Sequence, residues 1–168
     1  MKNILIIGAG RSSSSLIQYL LNKSDQEHLK ITIGDLSLAL AEKKANHHPN
    51  AKPIFLDIQN VAQRQNEIQN ADIVISMLPA HLHIEVARDC ISFKKNMVTA
   101  SYISNEMKSL DALAKENGVL LLNEIGLDPG IDHMSAMKII HEIEDKGGKL
   151  SLFESLCGGL VAPESDTN

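Results

Sequence analysis

Aromatic residues are scarce in this sequence, whose 168 residues include three Phe, two Tyr and no Trp. Proteins that hold single-stranded nucleic acid use aromatic rings as stacking platforms for the bases, and this chain has few to offer. The formal net charge of −5 also argues against a positively charged surface of the kind that binds phosphate backbones. We therefore expect no nucleic-acid partner and a core built mainly from aliphatic side chains.

Cysteine and long apolar runs are scarce as well. Cys90 and Cys157 lie far apart and outside any metal-ligand spacing, which is typical of reduced thiols in a cytoplasmic protein. No apolar run approaches the roughly 20 residues that a membrane span needs. The opening MKNILIIGAG is too short and too soon broken by glycine to be a signal peptide. We expect a cytoplasmic protein without a membrane partner.

The sequence does contain a regular alternation of short apolar runs and amphipathic stretches. The runs predict strands at residues 3–7, 30–34, 52–56, 73–77, 97–100, 119–123 and 149–156. The amphipathic stretches predict helices at residues 13–22, 37–45, 61–68, 82–91, 105–117 and 131–144. Because the first runs are continuously apolar, helices should cover both faces of the sheet. The pattern predicts an α/β fold with a doubly wound, mostly parallel, Rossmann-like sheet.

The segment IIGAGRSSSSL (residues 6–16) joins the first strand to the first helix. Gly8 permits a tight turn, and Gly10 lets the backbone approach a pyrophosphate at the helix N-terminus. Ser13 stands where a third glycine is usual, and its hydroxyl is a possible phosphate donor. With Arg11 and Ser12 between them, these residues form the predicted dinucleotide-binding turn.

Acidic residues follow the second and third strands. Asp35, in ITIGDLS, is placed to accept hydrogen bonds from an adenosine ribose, and its charge would repel a 2′-phosphate. A solvated or helix-capping aspartate is the alternative. Asp57, in IFLDIQN, is a candidate for the adenine amino group, with a helix cap at least as plausible. The pattern favours NAD over NADP as cofactor.

The fourth and fifth strands end in ISMLPAHLH (residues 75–83) and VTASYIS (residues 98–104). Ligands of doubly wound sheets bind outside the carboxyl ends of the strands. We expect Met77, Leu78 and Pro79 to line the nicotinamide side, and Ser101 and Tyr102 to project into the crevice. A lone loop tyrosine is also a common packing residue.

Two histidines, His81 and His83, form an HxH pair after the fourth strand. A zinc site needs at least a third protein ligand, and the sequence offers none nearby. We expect the pair to start the following helix, and no metal site.

The segment NEIGLDPGIDH (residues 123–133) follows the sixth strand. Local rules predict that Asp128 caps a helix whose first residue is Pro129, with Asp132 in its first turn. Its position at the carboxyl edge of the sheet also makes Asp128 a candidate to orient a substrate ammonium.

Three strings together carry a family resemblance: TASYIS (residues 99–104), NEIGLDPGIDHMSAM (residues 123–137) and CGGLVAPES (residues 157–165). They resemble saccharopine dehydrogenase of the L-glutamate-forming type, also called saccharopine reductase. The departures are Val161, where the family usually has proline, and Asp35, where members that use NADP carry a basic or neutral residue.

The resemblance implies NAD(P)-linked interconversion of saccharopine with glutamate and 2-aminoadipate 6-semialdehyde, a step of lysine metabolism. It places Ser101, Tyr102, Asp128, Cys157 and Gly158 around the substrate. Of these, Tyr102, Asp128 and Cys157 are the expected catalytic side chains, because the reaction needs proton transfers at nitrogen and oxygen.

The resemblance also implies an organisation into domains: a nucleotide-binding domain over residues 1–148 and the start of a truncated substrate-binding domain over residues 149–168. Composition alone leaves a flexible tail equally possible. The complete protein is expected to be a homodimer, and the 168-residue chain to be inactive alone. Two alternatives are an oxidoreductase for another amine–aldehyde condensate and a non-catalytic NAD-sensing module.

Overall fold

The computed structural model describes residues 1–158, in which six strands alternate with seven α-helices. The strands are β1 (Lys2–Ile7), β2 (Leu29–Asp35), β3 (Ala51–Phe55), β4 (Ile73–Ser76), β5 (Asn96–Thr99) and β6 (Leu121–Leu122). The helices are α1 (Ser14–Lys23), α2 (Leu38–Ala45), α3 (Val61–Gln69), α4 (His83–Ser92), α5 (Asn105–Ser109), α6 (Asp111–Glu116) and α7 (Ile131–Asp145). Short 3-10 helices, Arg11–Ser13 and Ala80–Leu82, lead into α1 and α4.

The six strands form one sheet in the order β3-β2-β1-β4-β5-β6, and every neighbouring pair is parallel. This is the doubly wound order, in which the strand sequence reverses between β1 and β4. The predicted fold class is confirmed. The reversal places the carboxyl ends of β1 and β4 side by side at the edge where such folds bind ligands.

Strand β1 shows why residues 4–7 form a continuously apolar run. Leu5 and Ile7 point into the cluster beneath the helices that follow β3 to β5, whereas Ile4 and Ile6 point into the opposite cluster, which includes Ile17 of α1. Successive side chains of a strand face opposite sides of the sheet. Since both sides are covered by helices, residues 4–7 of this strand are all buried and apolar, whereas Lys2 and Asn3 at its start are exposed.

Some element boundaries differ from the prediction. The single helix predicted over residues 105–117 is divided into α5 and α6 at the buried Leu110, whose N–H donates to the Met107 carbonyl. The strand predicted over residues 119–123 is reduced to Leu121–Leu122, because the Val119 N–H still donates to the Ala114 carbonyl at the end of α6.

The strand predicted over residues 149–156 is wrong. Residues 149–158 contain no helix or strand, and their side chains are exposed. An alternating apolar pattern becomes a strand only when a neighbouring strand pairs with its backbone, and the described part of the chain provides no such pairing here. The rest of the CGGLVAPES string, Val161 included, lies outside the described residues.

The chain divides into two compact units, of which the first covers Met1–Gly126 and the second begins at Leu127. The division falls before α7, earlier than the boundary expected after residue 148. Helix α7 continues the strand–helix alternation of the sequence, yet it lies in the second unit. Within residues 1–158, no helix is both long enough and apolar enough to cross a membrane.

Candidate functional site

The turn after β1 requires glycine at its first position. Gly8 has a φ of +108°, and a Cβ atom there would lie 2.8 Å from the Met77 carbonyl oxygen. The Gly8 N–H donates to the Gly34 carbonyl at 2.8 Å. Backbone conformation and the closeness of β4 therefore both exclude a side chain at this position.

Gly10 presents the opposite case. Its backbone is extended, with φ −64° and ψ −174°, a conformation open to any residue. No neighbouring atom lies within 4 Å of the position that its Cβ would occupy. The fold does not itself explain glycine here, whereas the open space beside the turn suits a pyrophosphate that approaches the backbone. Arg11 and Ser12, in the following 3-10 helix, are exposed.

Ser13 has a different environment from the rest of the turn. Its side chain is completely buried, and its hydroxyl donates to the Gly10 carbonyl at 2.9 Å. The proton of this hydroxyl is therefore used inside the protein rather than left free for a phosphate. Ser13 closes the turn that presents Gly10.

Asp35 lies directly against the glycine-rich turn. One carboxylate oxygen accepts from the Ala9 N–H at 2.7 Å, and the other accepts from the Ser37 N–H at 2.8 Å. The cap of α2 is Ser37, whose hydroxyl accepts from the Leu40 N–H, so Asp35 is not a cap of this helix. It links the end of β2 to the turn after β1.

Asp57 organises the loop after β3. Its carboxylate accepts from the Gln59 N–H at 2.9 Å, while the cap of α3 is Asn60, whose side chain accepts from the Gln63 N–H. The helix-cap alternative for Asp57 is therefore wrong. The same side chain holds a local turn instead.

The loop after β4 runs beside the first turn. The Met77 N–H donates to the Ile7 carbonyl at 2.8 Å, which extends the pairing of β4 with β1 by one residue. Leu78 is half-buried against the core, and Pro79 is exposed where the 3-10 helix Ala80–Leu82 begins. The structure thus brings this loop next to Gly8, as the ligand-binding edge requires.

His83 forms a buried polar network that the sequence did not predict. As expected, His81 and His83 lie at the start of α4 and its preceding 3-10 helix. His81 is exposed, but His83 is only 3% exposed. Its Nδ1 lies 2.8 Å from the Ser76 hydroxyl oxygen, and its Nε2 lies 2.7 Å from that of Ser101.

The surroundings of His83 favour the neutral form of its imidazole. Burial lowers its pKa, and the nearby His81 lowers it further. A neutral ring has one N–H donor and one lone-pair acceptor. Both nitrogens are engaged by hydroxyl groups from the ends of β4 and β5.

The loop after β5 is tied to the segment after β6. The Glu124 N–H donates to the Ser101 carbonyl at 3.1 Å, and a Glu124 carboxylate oxygen accepts from the Ile103 N–H at 3.0 Å. Ser101 is half-buried, whereas the Tyr102 side chain is 71% exposed. Tyr102 is therefore presented to solvent rather than packed into the core.

The start of α7 differs from the prediction. The helix begins at Ile131, and its N-cap is Gly130, with no side-chain cap bond. The prediction that Asp128 caps a helix beginning at Pro129 is wrong. Asp132 lies in the first turn as predicted, and its carboxylate accepts from the Gly130 N–H at 2.8 Å. Asp132, within the first turn, thus accepts a backbone N–H at the start of the helix in place of the expected cap Asp128.

Asp128 and Cys157, two predicted site residues, are brought together in the second unit. A hydrogen bond to Asp128 is the main cause of a raised pKa at Cys157, whose side chain is exposed. The cause differs at Cys90, where burial rather than a hydrogen bond is the main effect and raises the pKa of the thiol to about 12. Gly158 follows Cys157 and is exposed, and no atom lies within 4 Å of its Cβ position.

Two family models match the chain, "Saccharopine dehydrogenase NADP binding domain" over residues 4–122 and "Saccharopine dehydrogenase C-terminal domain" over residues 126–168. The second match begins at residue 126, within one residue of the division between the two structural units.

Curated relatives are similar to this chain over nearly its whole length, with 37–40% identity in the aligned residues of two examples. The "Saccharopine dehydrogenase [NADP(+), L-glutamate-forming]" of Pyricularia oryzae is 40% identical, over 99% of this chain and 36% of its own length. The mitochondrial alpha-aminoadipic semialdehyde synthase of mouse is 37% identical, over 99% of this chain and 18% of its own length. The chain thus spans well under half of these relatives. The name of the fungal enzyme specifies NADP(+) and gives no support to the expected preference for NAD.

Among solved structures, apo saccharopine dehydrogenase (L-Glu forming) from Saccharomyces cerevisiae is similar with a TM-score of 0.81 and 38% identity. The match covers all of this chain and 37% of the yeast chain.

Proposed function

This chain belongs to the saccharopine dehydrogenase family, and from that premise we propose that it binds a pyridine nucleotide as part of an enzyme that acts on saccharopine. The observation that carries the proposal is the contrast between Gly8 and Gly10. The fold itself demands glycine at Gly8, whereas at Gly10 it leaves an open space above an unstrained backbone. A bound pyrophosphate gives a physical reason for glycine at that second position.

The proposed reaction is the oxidation of saccharopine at the CH2 carbon that joins its secondary amine to the 2-aminoadipate part of the molecule. The nucleotide supplies the acceptor for the hydride. Water then adds to the resulting imine, and the carbon–nitrogen bond breaks to give glutamate and 2-aminoadipate 6-semialdehyde. The reverse sequence forms saccharopine.

We assign the proton transfers to two groups of this chain that are hydrogen-bonded to each other. The Asp128 carboxylate accepts the hydrogen bond of the Cys157 thiol, so a protonated thiol lies beside a carboxylate that can accept a proton. Such a pair is suited to orient an ammonium group and to serve a nitrogen or oxygen that gains or loses a proton. The exposed phenol of Tyr102 is the third proposed substrate contact.

We also propose that this chain prefers NAD(H) to NADP(H). The support comes from Asp35, whose carboxylate is fixed against the glycine-rich turn by the Ala9 and Ser37 N–H groups. Each carboxylate oxygen has further lone pairs for ribose hydroxyls. Its negative charge at the end of β2 disfavours a 2′-phosphate at the same place.

Calorimetric titration of the 168-residue chain with NADH and with ADP-ribose tests nucleotide binding. ADP-ribose contains the adenosine and the pyrophosphate of the cofactor. It should bind because the proposed contacts are those of Gly10 with the pyrophosphate and of Asp35 with the adenosine ribose. Absence of binding for both ligands would overturn the proposal.

A further inference from the structure

The His83 network lies in the second half of the sheet. The glycine-rich turn with Gly8 and Gly10 follows β1, and Asp35 is the last residue of β2. The hydroxyl groups that contact His83 lie at or just after the ends of β4 and β5. A doubly wound sheet consists of two mononucleotide-binding halves that meet where the strand order reverses. If the adenosine half of a dinucleotide lies over β1 and β2, its nicotinamide half lies over β4 and β5, where this network is.

The network joins three hydroxyl groups through one ring. The Ser76 and Ser101 hydroxyl oxygens lie 2.8 Å and 2.7 Å from the two ring nitrogens. The Thr99 hydroxyl oxygen lies 3.4 Å from Nε2. Ser76 and Thr99 are completely or almost completely buried, and Ser101 is half-buried. Ser101 is therefore the member of the network that a ligand can reach.

The proton arrangement determines what Ser101 presents to that ligand. Thr99 Oγ1 already accepts the Ser101 N–H at 3.2 Å, so its own proton is free to point towards Nε2. If the ring proton is on Nδ1 and donates to Ser76, the Thr99 and Ser101 hydroxyl protons both point to Nε2 as their acceptor. In this arrangement the Ser101 hydroxyl donates inward and presents its oxygen lone pairs outward.

We propose that His83 is a positioning residue that fixes the Ser101 hydroxyl as an acceptor for the nicotinamide end of the bound nucleotide. The groups that fit such an acceptor are the ribose hydroxyls and the carboxamide N–H of that end. This inference rests on the proposed nucleotide binding and adds a residue that touches the ligand only through Ser101.

Two substitutions of His83 test the contacts of its two ring nitrogens one at a time. In His83→Asn the side-chain amide occupies the place of Nδ1, which keeps the contact with Ser76 and loses the contact with Ser101. In His83→Gln the amide reaches the place of Nε2, which keeps the contact with Ser101 and loses the contact with Ser76. We expect the Asn variant to bind NADH about three- to tenfold more weakly, the range of one lost hydrogen bond, and the Gln variant to bind it nearly as the unchanged chain does.

ADP-ribose is the matched control because it lacks the nicotinamide riboside. Both variants should bind ADP-ribose like the unchanged chain, and thermal melts should show comparable losses of stability in the two. A purely structural role of His83 predicts instead that NADH and ADP-ribose affinities fall together in both variants. That result, or an NADH affinity of the Asn variant equal to that of the unchanged chain, would overturn the inference.

A measurement on the unchanged chain remains decisive if a variant fails to fold. Nitrogen-15 spectra of the imidazole side chains should show His83 protonated at Nδ1, and NADH should shift its Nε2 signal while ADP-ribose should not. Protonation at Nε2, or an Nε2 signal that NADH leaves in place, would overturn the inference even when ADP-ribose binds. Failure of the unchanged chain to bind ADP-ribose contradicts the proposed function itself, and the inference falls with it.

Discussion

The Asp128 carboxylate is hydrogen-bonded to the thiol of Cys157, and this bond raises the pKa of that thiol. The two residues come from distant strings, GLDPGIDH and CGGL, and both were predicted site residues. Each is accessible, because Asp128 is half-buried and Cys157 is exposed. The contact favours the protonated form of the thiol beside a carboxylate in the second unit.

The first prediction concerns the reactivity of this thiol. Only the thiolate is nucleophilic, so the Asp128→Asn substitution, which removes the negative charge that raises the Cys157 pKa, should speed alkylation. Rates with iodoacetamide at pH 8 measure this effect. Asp145→Asn, at the far end of α7, serves as the control and should leave the rate unchanged, and Cys90 should remain unmodified. An unchanged or slower rate in Asp128→Asn would refute the contact.

The second prediction compares the two glycines of the first turn. Gly8→Ala should destabilise the fold by more than about 1–2 kcal/mol, since a left-handed conformation alone carries that cost and the new Cβ would also meet the Met77 carbonyl. Gly10→Ala should melt within a degree or two of the unchanged chain, yet bind NADH far more weakly. Full NADH affinity in Gly10→Ala would show that the space beside Gly10 is not the pyrophosphate site.

The third prediction concerns the nucleotide preference. The unchanged chain should bind NADH more tightly than NADPH, and Asp35→Asn should narrow the difference, because the charge that disfavours a 2′-phosphate is removed. The substitution also places an amide N–H against the backbone N–H of Ala9 or Ser37, so a stability loss of about 1–3 kcal/mol is expected. Titration with both nucleotides, beside a thermal melt, measures the two effects. Tighter NADPH binding by the unchanged chain would remove Asp35 from its proposed role.

The fourth prediction concerns a buried ion pair that stabilises the first unit. Arg64 Nε lies 2.6 Å from the Asp89 carboxylate, and the two side chains are 6% and 9% exposed. Asp89→Asn leaves the buried guanidinium with only the more exposed Glu85 carboxylate, 3.8 Å from Arg64 Nη2, and should cost up to about 3–5 kcal/mol of unfolding free energy. The exposed Asp111–Lys115 pair gives the control, since Asp111→Asn should cost at most about 1 kcal/mol. Equal losses of unfolding free energy for Asp89→Asn and Asp111→Asn in a urea titration would contradict a stabilising role of the buried pair.

Features set by local patterns could be predicted from the sequence. The continuous apolar run of β1 indicated burial on both faces, and its residues do alternate between two core clusters. The spacing of Gly8 and Gly10 indicated the turn, because backbone conformation there depends on residues close in sequence. The turn depends on local backbone conformation, and the apolar run of β1 is a general consequence of a sheet with helices on both faces.

Features set by distant partners could not be predicted. His83 meets Ser76 and Ser101 only because β4 and β5 pair in one register, and the HxH pattern gives no sign of it. Asp128 followed the local rule for a helix cap, yet Asp132 satisfies the Gly130 N–H instead. The run at residues 149–156 has the pattern of a strand but lacks the pairing that a strand requires.

The most direct test of the proposed function is a titration of the nitrogen-15-labelled chain with NADH, followed through its backbone amide signals. A nucleotide along the carboxyl edge of the sheet should produce saturable shifts that are largest at Gly10, Ser12, Ser37, Leu78 and Ser101. These residues follow β1, β2, β4 and β5 at that one edge. Saturable shifts at these amides are the result predicted here. Shifts that are absent, or that cluster at the opposite ends of the strands, would contradict it.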